Sequence, residues 1–286
     1  MGSTPTCELA PERSGPTEHQ GHGPHLKGHS MDLQLNGTRV LVTGGTRGIG
    51  RAIVEAFLHE GATVGFCARS ADEVAATQAA LADADTMTGT VAGTVLDVGD
   101  GDALAAWVEA SAQAFGGLDV VVANVSALAI PDTEENWQAS LNVDLMHTVR
   151  LVSAAMPHLE RSNAASIIAI SSVSGRESDF ASGPYGTAKT AIVGYINGLA
   201  MQLAEKGIRA NTVSPGNTYF DGGVWQSIEA GNPELYDMAV GLNPTGHMGT
   251  PEEIAGPVVF LASRVARRVS GTNFVVDGAL TRGIQL

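Results

Sequence analysis

The 286-residue chain is poor in cysteine and in basic residues, and each shortage removes a class of function. Only Cys7 and Cys67 occur, one in a polar tail and one inside an apolar strand-like run. No disulfide framework is implied, and a reducing compartment fits. Lys and Arg number 16 against 30 Asp and Glu, for a formal net charge of -14, and no long basic cluster is present. A phosphate-backbone partner needs a basic footprint, so no nucleic-acid partner is expected. No apolar run reaches the ~18 residues that span a bilayer, and the N-terminus lacks the basic-then-apolar layout of a signal peptide. The expectation is a cytoplasmic protein with no membrane partner. With 44% hydrophobic and 16% charged residues, the chain can still bury one sizeable core.

Residues 1–34 differ from the rest. Gly, Pro, Ser and Thr dominate, and His19, His22, His25 and His29 recur without apolar periodicity. This composition reads as a disordered extension or tag ahead of a start at Met31, rather than as a metal site. From residue 39 short β-rich runs alternate with amphipathic helical stretches: RVLVTG, GIGRAIVEAFLHEG, ATVGFCA, ADEVAATQAALAD, GTVLDV, DALAAWVEASAQAF, LDVVVAN. A long helical pattern through Trp137, Leu141, Leu145, Val152 and Leu159 comes next, then SIIAISS, a helix opened by Pro184, IRANTVSP, PEEIAGPVVFLAS and TNFVVDG. Strands such as VLVTG and SIIAIS are apolar throughout, as a parallel sheet covered on both faces requires. The predicted fold is a single-domain, Rossmann-like, doubly wound α/β sheet of about seven parallel strands over residues 35–286, with ligands outside the carboxyl ends of the strands. Residues 217–250 read as a loop-rich lid.

Between the first strand and its helix stands Thr43-Gly-Gly-Thr-Arg-Gly-Ile-Gly50. Glycines 44, 48 and 50 allow a tight turn, close backbone approach to a pyrophosphate and tight helix-on-strand packing, while the helix N-terminus favours an anion. Later, Tyr185 and Lys189 stand four apart in YGTAK and share one helix face. A lysine at a helix start opposes the helix dipole. A free tyrosine, however, ionises near ~10 and is a poor acid or base at neutral pH, and both the ammonium and the helix start favour its charged form. The lysine therefore has a chemical reason to be there. Thirteen residues before Tyr185, Ser172 ends an apolar strand, where doubly wound sheets place ligand contacts.

The ordered set TGGTRGIG, LDV, ISSVSG, YGTAK, SPG and VDG resembles the short-chain dehydrogenase/reductase family from about residue 37 to the end, and is similar to its 3-oxoacyl-carrier-protein reductase-like members. The resemblance implies hydride transfer between a nicotinamide cofactor and a carbonyl or secondary alcohol, without a metal. It casts Tyr185 as the general acid or base, Lys189 as its partner and ribose ligand, Ser172 as the hydrogen-bond donor to the substrate oxygen, and Asn142 as the fourth member, linked to the lysine. It assigns cofactor contacts to Gly44, Thr46, Arg47, Gly48, Ile49 and Gly50, to Arg69, Asp97, Val98 and Asn124, to Tyr185 and Lys189, and to Pro215, Gly216 and Thr218. The end of the second strand, Phe66 to Ser70, offers no carboxylate for the ribose hydroxyls. Arg69 and Arg47 are instead suited to a 2'-phosphate, so NADP(H) is expected over NAD(H). The resemblance also implies a homodimer or homotetramer.

Three segments depart from the family pattern. Ala123-Asn-Val-Ser126 replaces N-N-A-G, Asn217-Thr-Tyr-Phe220 comes after Pro215-Gly216, and VDGA stands for VDGG. The expected function is NADP(H)-dependent hydride transfer between the nicotinamide and a carbonyl or secondary alcohol, with a hydrophobic ketone or a 3-oxoacyl thioester as the substrate. An NAD-dependent alcohol dehydrogenase and a non-catalytic dinucleotide sensor are the alternatives.

Overall fold

The computed structural model of the protein describes residues 31–284, so the histidines of the N-terminal segment lie outside the described residues. The compact unit opens at Leu33, slightly ahead of the expected boundary, because Leu35 is buried in the core and Leu33 packs against it.

The first half of the fold runs β1 (Arg39–Thr43), α1 (Gly48–His59), β2 (Thr63–Ala68), α2 (Ala71–Ala82), β3 (Thr90–Val95), α3 (Gly101–Phe115) and β4 (Val120–Ala123). The second half runs α4 (Glu134–Ala139), a π-helical turn (Ser140–Met146), α5 (His147–Leu159), β5 (Ser166–Ile170), α6 (Pro184–Leu203), β6 (Arg209–Pro215), α7 (Val224–Gly231), α8 (Pro233–Leu242), α9 (Pro251–Ala262) and β7 (Asn273–Val276). The seven strands form one sheet in the order β3-β2-β1-β4-β5-β6-β7, and every pair is parallel. The order reverses between β1 and β4, so the chain leaves these neighbours in opposite directions and opens a crevice at their carboxyl ends.

Alternate residues of each strand feed two cores. Val40, Val42, Val120 and Val122 face α1, α2 and α9, whereas Leu41, Val121, Ile167 and Ala169 face α3, α5 and α6. Local chemistry sets the helix ends. Asp100 caps α3 by accepting from the N–H groups of Asp102 and Ala103, and Gly116 closes it in the left-handed conformation. Thr250 and Glu253 form a capping box ahead of Pro251. Arg209 lies buried beneath the end of α9 and donates to the carbonyls of Leu261, Ala262 and Ser263, which lack helical partners.

Three expectations are corrected. β3 begins at Thr90 and ends at Val95, so Asp97 and Val98 lie beyond the strand rather than at its end. The segment 217–250 is not loop-rich: it carries α7 and α8, which bury Trp225, Ala239 and Met248 in a small core of their own. The long helix is broken by the π turn, which adds a residue to the winding and rotates the face presented by α5. Its buried face is consequently Ser140, Asp144, His147 and Leu151, all 0% exposed, while Leu141 of the expected apolar stripe is 43% exposed.

Candidate active site

Thr43 ends β1 with its side chain buried, and its hydroxyl is the hub of the crevice. Its Oγ1 accepts the Asn124 N–H at 3.0 Å and meets His147 Nε2 at 3.0 Å. The Asn124 side chain donates to the carbonyls of Thr43 (3.0 Å) and Gly44 (3.2 Å), which staples β4 to the glycine turn. Gly44 has φ 73°, and a Cβ at Gly50 would strike the Gly44 carbonyl and the Asn124 amide. The turn is thus as tight as its sequence requires. At the start of α1, Arg47 makes no side-chain cap and the first turn carries no acid, whereas α2, α3 and α9 are all capped by side chains. The first N–H groups of α1 are left for an anion.

At the carboxyl end of β5 lie three of the expected site residues, Ser172, Tyr185 and Lys189. Lys189 is 2% exposed; its Nζ donates to the Ile170 carbonyl at 3.1 Å and lies 5.6 Å from the Tyr185 ring centroid. Ser171 Oγ donates to the Lys189 carbonyl at 2.9 Å, tying the strand end to α6. A Cβ on Gly175 would come within 2.8 Å of the Lys189 carbonyl carbon, so this glycine lets α6 approach. Ser172 is 8% exposed; its Oγ accepts the Ser174 N–H at 3.2 Å, leaving its proton to donate elsewhere. Ser174 Oγ donates to Asp179 at 2.6 Å. Tyr185 is half-buried, and its hydroxyl has no hydrogen-bond partner among the described residues. Tyr219 is a poor rival as an acid or base, because its hydrogen bond to the Glu229 carboxylate (2.6 Å) pushes its phenol up to about 12.

Asn142 does not meet Lys189. Its amide donates to the Gly99 carbonyl at 3.4 Å and accepts from Arg150 at 2.8 Å. The side chain that faces the lysine from the π turn is Asp144, fully buried, with Oδ1 3.2 Å from Lys189 Nζ and Oδ2 accepting the Ala127 N–H at 3.1 Å. Beside it His147 is sealed from solvent. Burial above all, and then the Lys189 charge, push this imidazole down to about 4, so it is neutral, with Nδ1 donating to the Val143 carbonyl and Nε2 accepting from Thr43. Neither Asp144 nor His147 was among the expected site residues.

Comparison with known proteins points the same way. The family model described as enoyl-(acyl carrier protein) reductase matches residues 44–281. An isoepoxydon dehydrogenase of Penicillium expansum is 42% identical over 88% of this chain and 97% of its own. A 3-oxoacyl-[acyl-carrier-protein] reductase of Thermotoga maritima is 31% identical over 87% of this chain and 99% of its own. Among solved structures, a short-chain dehydrogenase from Burkholderia cenocepacia in complex with NADP superposes with TM-score 0.77 at 29% identity, covering 86% of this chain and 98% of that one. The chain belongs to the short-chain dehydrogenase/reductase family. It is accordingly an NAD(P)-dependent oxidoreductase.

The residues present fit the dinucleotide that short-chain dehydrogenases bind. The uncapped start of α1 suits the pyrophosphate, and the glycines hold the turn flat enough for backbone approach. In the bridge between Thr218 and Gly249, the N–H groups used belong to Tyr219 and Gly249, which leaves the Thr218 N–H unspent. Pro215 and Gly216 pack against β7 and its end, where a Cβ on Gly216 would meet Asp277 at 2.8 Å. Val98 is buried, and the exposed Asp97 accepts the Gly99 N–H at 2.9 Å. Arg69 is exposed with no ion pair among the described residues, while Arg47 donates to the Gly222 carbonyl at 3.2 Å. Thr46 donates to Glu73 at 3.3 Å. The segment 217–250 thus reaches the glycine turn through Arg47 and through Phe220, whose ring lies against Gly48. It reaches the loop ahead of α6 through Trp225, edge-on to Phe180 at 6.1 Å.

Proposed function

We propose that the protein is an NADP(H)-dependent oxidoreductase that interconverts an uncharged ketone and its secondary alcohol. The observation that carries this reading is the Tyr185–Lys189 pair, set beside Ser172 at the end of β5, with the phenol free of other partners among the described residues. When bound, the nicotinamide supplies the hydride chemistry. Ser172 donates its hydroxyl proton to the substrate oxygen, where negative charge develops on reduction. Tyr185 gives that oxygen a proton in reduction and withdraws it in oxidation. Lys189 holds positive charge beside the phenol and binds the ribose hydroxyls.

Of the two substrate classes expected from the sequence, the hydrophobic ketone is favoured over the thioester. Residues 217–250 contain Asp221, Glu229, Glu234 and Asp237 and no Lys or Arg, and the loop ahead of α6, which Phe180 joins to Trp225, adds Glu177 and Asp179 beside Arg176. A thioester riding on a phosphate-bearing carrier would meet this negative rim unfavourably. Isoepoxydon is the first substrate to offer, since two isoepoxydon dehydrogenases, from Penicillium expansum and Aspergillus clavatus, are 42% and 40% identical to this chain. NADP(H) is favoured by Arg69 and Arg47 and by the absence of a carboxylate between Phe66 and Ser70. An NAD-dependent enzyme is the second reading, supported by Glu73, whose carboxylate stands 3.3 Å from Thr46. A homodimer or homotetramer is supported by the exposed apolar side chains Leu141, Met146 and Met201 on the π turn and α6. A cytoplasmic location accords with the fact that no described helix is long and apolar enough to cross a membrane.

The test is cofactor oxidation or reduction across a panel of carbonyls and alcohols with the wild type and Tyr185→Phe. Turnover with an uncharged ketone that vanishes in the variant, with cofactor binding retained, is expected. A variant that keeps its turnover, or a wild type that binds NADPH and reduces nothing, sinks the reading.

A further inference from the structure

We propose that Phe220 gates the dinucleotide cradle: its ring occupies the space beside Gly48 that the pyrophosphate needs, so the cofactor enters only when the ring withdraws. The inference rests on the reading of the glycine turn as the seat of the pyrophosphate, and goes beyond it by naming a competitor for that seat. Phe220 ends Asn217-Thr-Tyr-Phe220, one of the segments that depart from the family pattern. The role therefore belongs to this chain rather than to the fold.

The overlap is direct. In a strand–turn–helix cradle the second glycine lets the backbone approach the pyrophosphate, because any side chain there would fill the gap. Gly48 is that glycine, with φ 53° at the first position of α1. A Cβ on it would come within 2.5 Å of Phe220 Cε2 and Cζ and 2.9 Å of Cδ2. The gap that Gly48 leaves is filled by the ring. This is also where α1 begins without a side-chain cap, and a ring edge gives the first N–H groups no acceptor to match an anion.

The ring is held loosely enough to leave. Phe220 is partly exposed, and among the described residues it joins none of the hydrophobic clusters and meets no other aromatic ring. Glycine lies on both sides of it, since a Cβ on Gly223 would stand 3.1 Å from the same two ring atoms that face Gly48. The backbone is firm before the ring and supple after it. Tyr219 donates its N–H to the Gly249 carbonyl at 2.9 Å, whereas Phe220 opens a turn closed by the Gly223 N–H at 3.0 Å, with Gly222 at φ 76°. Arg47 supplies a single exposed latch, its Nη1 donating to the Gly222 carbonyl at 3.2 Å. A change of rotamer at Phe220 clears Gly48 and leaves the Tyr219–Gly249 bond intact.

The consequence is an affinity below what the cradle itself would give. A ring seated in nine molecules of ten lowers apparent affinity about tenfold. The test measures binding by the whole chain without turnover: dissociation constants for NADPH and NADH from nicotinamide fluorescence, and association rates by stopped flow. Phe220→Ala is expected to bind both cofactors about tenfold more tightly and with faster association, because both carry the same pyrophosphate. Unchanged binding overturns the proposal, and so does weaker binding, which would make the ring a contact that holds the cofactor. Phe220→Tyr keeps the ring and is expected to bind as the wild type does; equal tightening in this variant also overturns the gate. If Phe220→Ala does not fold, Phe220→Leu decides on the same two readings. Failure of the underlying reading registers differently. A wild type and a variant that both bind neither cofactor remove the seat itself, whereas binding that is present and indifferent to the ring removes only the gate.

Discussion

Gly175→Ala is the substitution that most directly probes how α6 is set against β5. An added Cβ would stand 2.8 Å from the Lys189 carbonyl carbon, 3.0 Å from Lys189 Cβ and 3.0 Å from Ser171 Oγ. Carbon atoms in contact settle about 3.5–4.0 Å apart, so α6 must retreat by about 0.7–1 Å at Lys189. That retreat opposes two bonds that pull the same turn inward, Ser171 to the Lys189 carbonyl and Thr190 to the Gly175 carbonyl, both 2.9 Å. It also draws Nζ away from Ile170 and Asp144. Overpacking of this kind costs about 1–3 kcal/mol, which for a chain of this size lowers Tm by about 2–10 °C. A displacement approaching 1 Å at a reacting group costs up to ~100-fold in rate, so kcat is expected to fall about 10- to 100-fold. Cofactor affinity should fall less than kcat, because the glycine turn lies between β1 and α1, away from the shifted helix. Gly194→Ala on the same helix is the control: nothing lies within 4 Å of its added Cβ, and the change should leave kcat alone. Steady-state kinetics and thermal melts on both variants make the assay. A Gly175→Ala enzyme with wild-type kcat and lowered Tm would refute the claim that this gap places Lys189.

Arg69→Asp puts a carboxylate where a 2'-phosphate is expected, and the ratio of NADPH to NADH specificity constants should fall about 10- to 100-fold, the worth of one charge-assisted bond; an unchanged ratio defeats the assignment of Arg69. Arg209→Met leaves the carbonyls of Leu261, Ala262 and Ser263 at the end of α9 without their donor. The expected loss is about 2–4 kcal/mol in chemical denaturation, and an undiminished midpoint would show that these carbonyls find other partners. His147 makes the fold acid-sensitive. Its imidazole titrates near its ordinary 6.5 when unfolded but at about 4 when folded, so the unfolded chain binds the proton first as pH falls. The stability His147 allows is intact above about 6.5 and is lost between there and 4, by about 3 kcal/mol in all. His147→Gln should flatten the pH dependence of unfolding in that window relative to wild type, and a parallel pair of curves would contradict the assignment.

The fold was legible because its signals are redundant. VLVTG and SIIAI are apolar on both faces, so they had to lie in a covered parallel sheet, and they became β1 and β5. The glycine turn sat between a strand and a helix in both sequence and structure. Less legible were elements that exist only by mutual contact. Helices α7 and α8 are short and separated by Asn232, which caps the second of them, and they are stabilised by burying Trp225, Ala239 and Met248. Read locally, the six glycines and two prolines of residues 217–250 resemble loop. The end of β3 was misplaced because LDV continues an apolar alternation, although Leu96 and Val98 turn inward only after the strand has stopped pairing with β2.

The site divides along the same line. Tyr185, Lys189, Ser172 and the glycine turn declare themselves by spacing along single elements, and the structure brings the first three to one strand end. The partner of the lysine does not, because finding it means knowing which face of a helix is buried when that helix changes its winding. A regular reading puts Leu141 and Leu145 inward and leaves Asp144 among solvated polar residues. One pattern in the sequence spoke otherwise: Ser140, Asp144, His147 and Leu151 recur at four, three and four, the repeat of a buried stripe, and three of the four are polar. Polar residues that hold a core-facing register need partners inside the protein. Asp144 finds Lys189 and Ala127, and His147 finds Thr43 and Val143. The same stripe therefore joins Thr43, where the glycine turn begins, to Lys189 on α6.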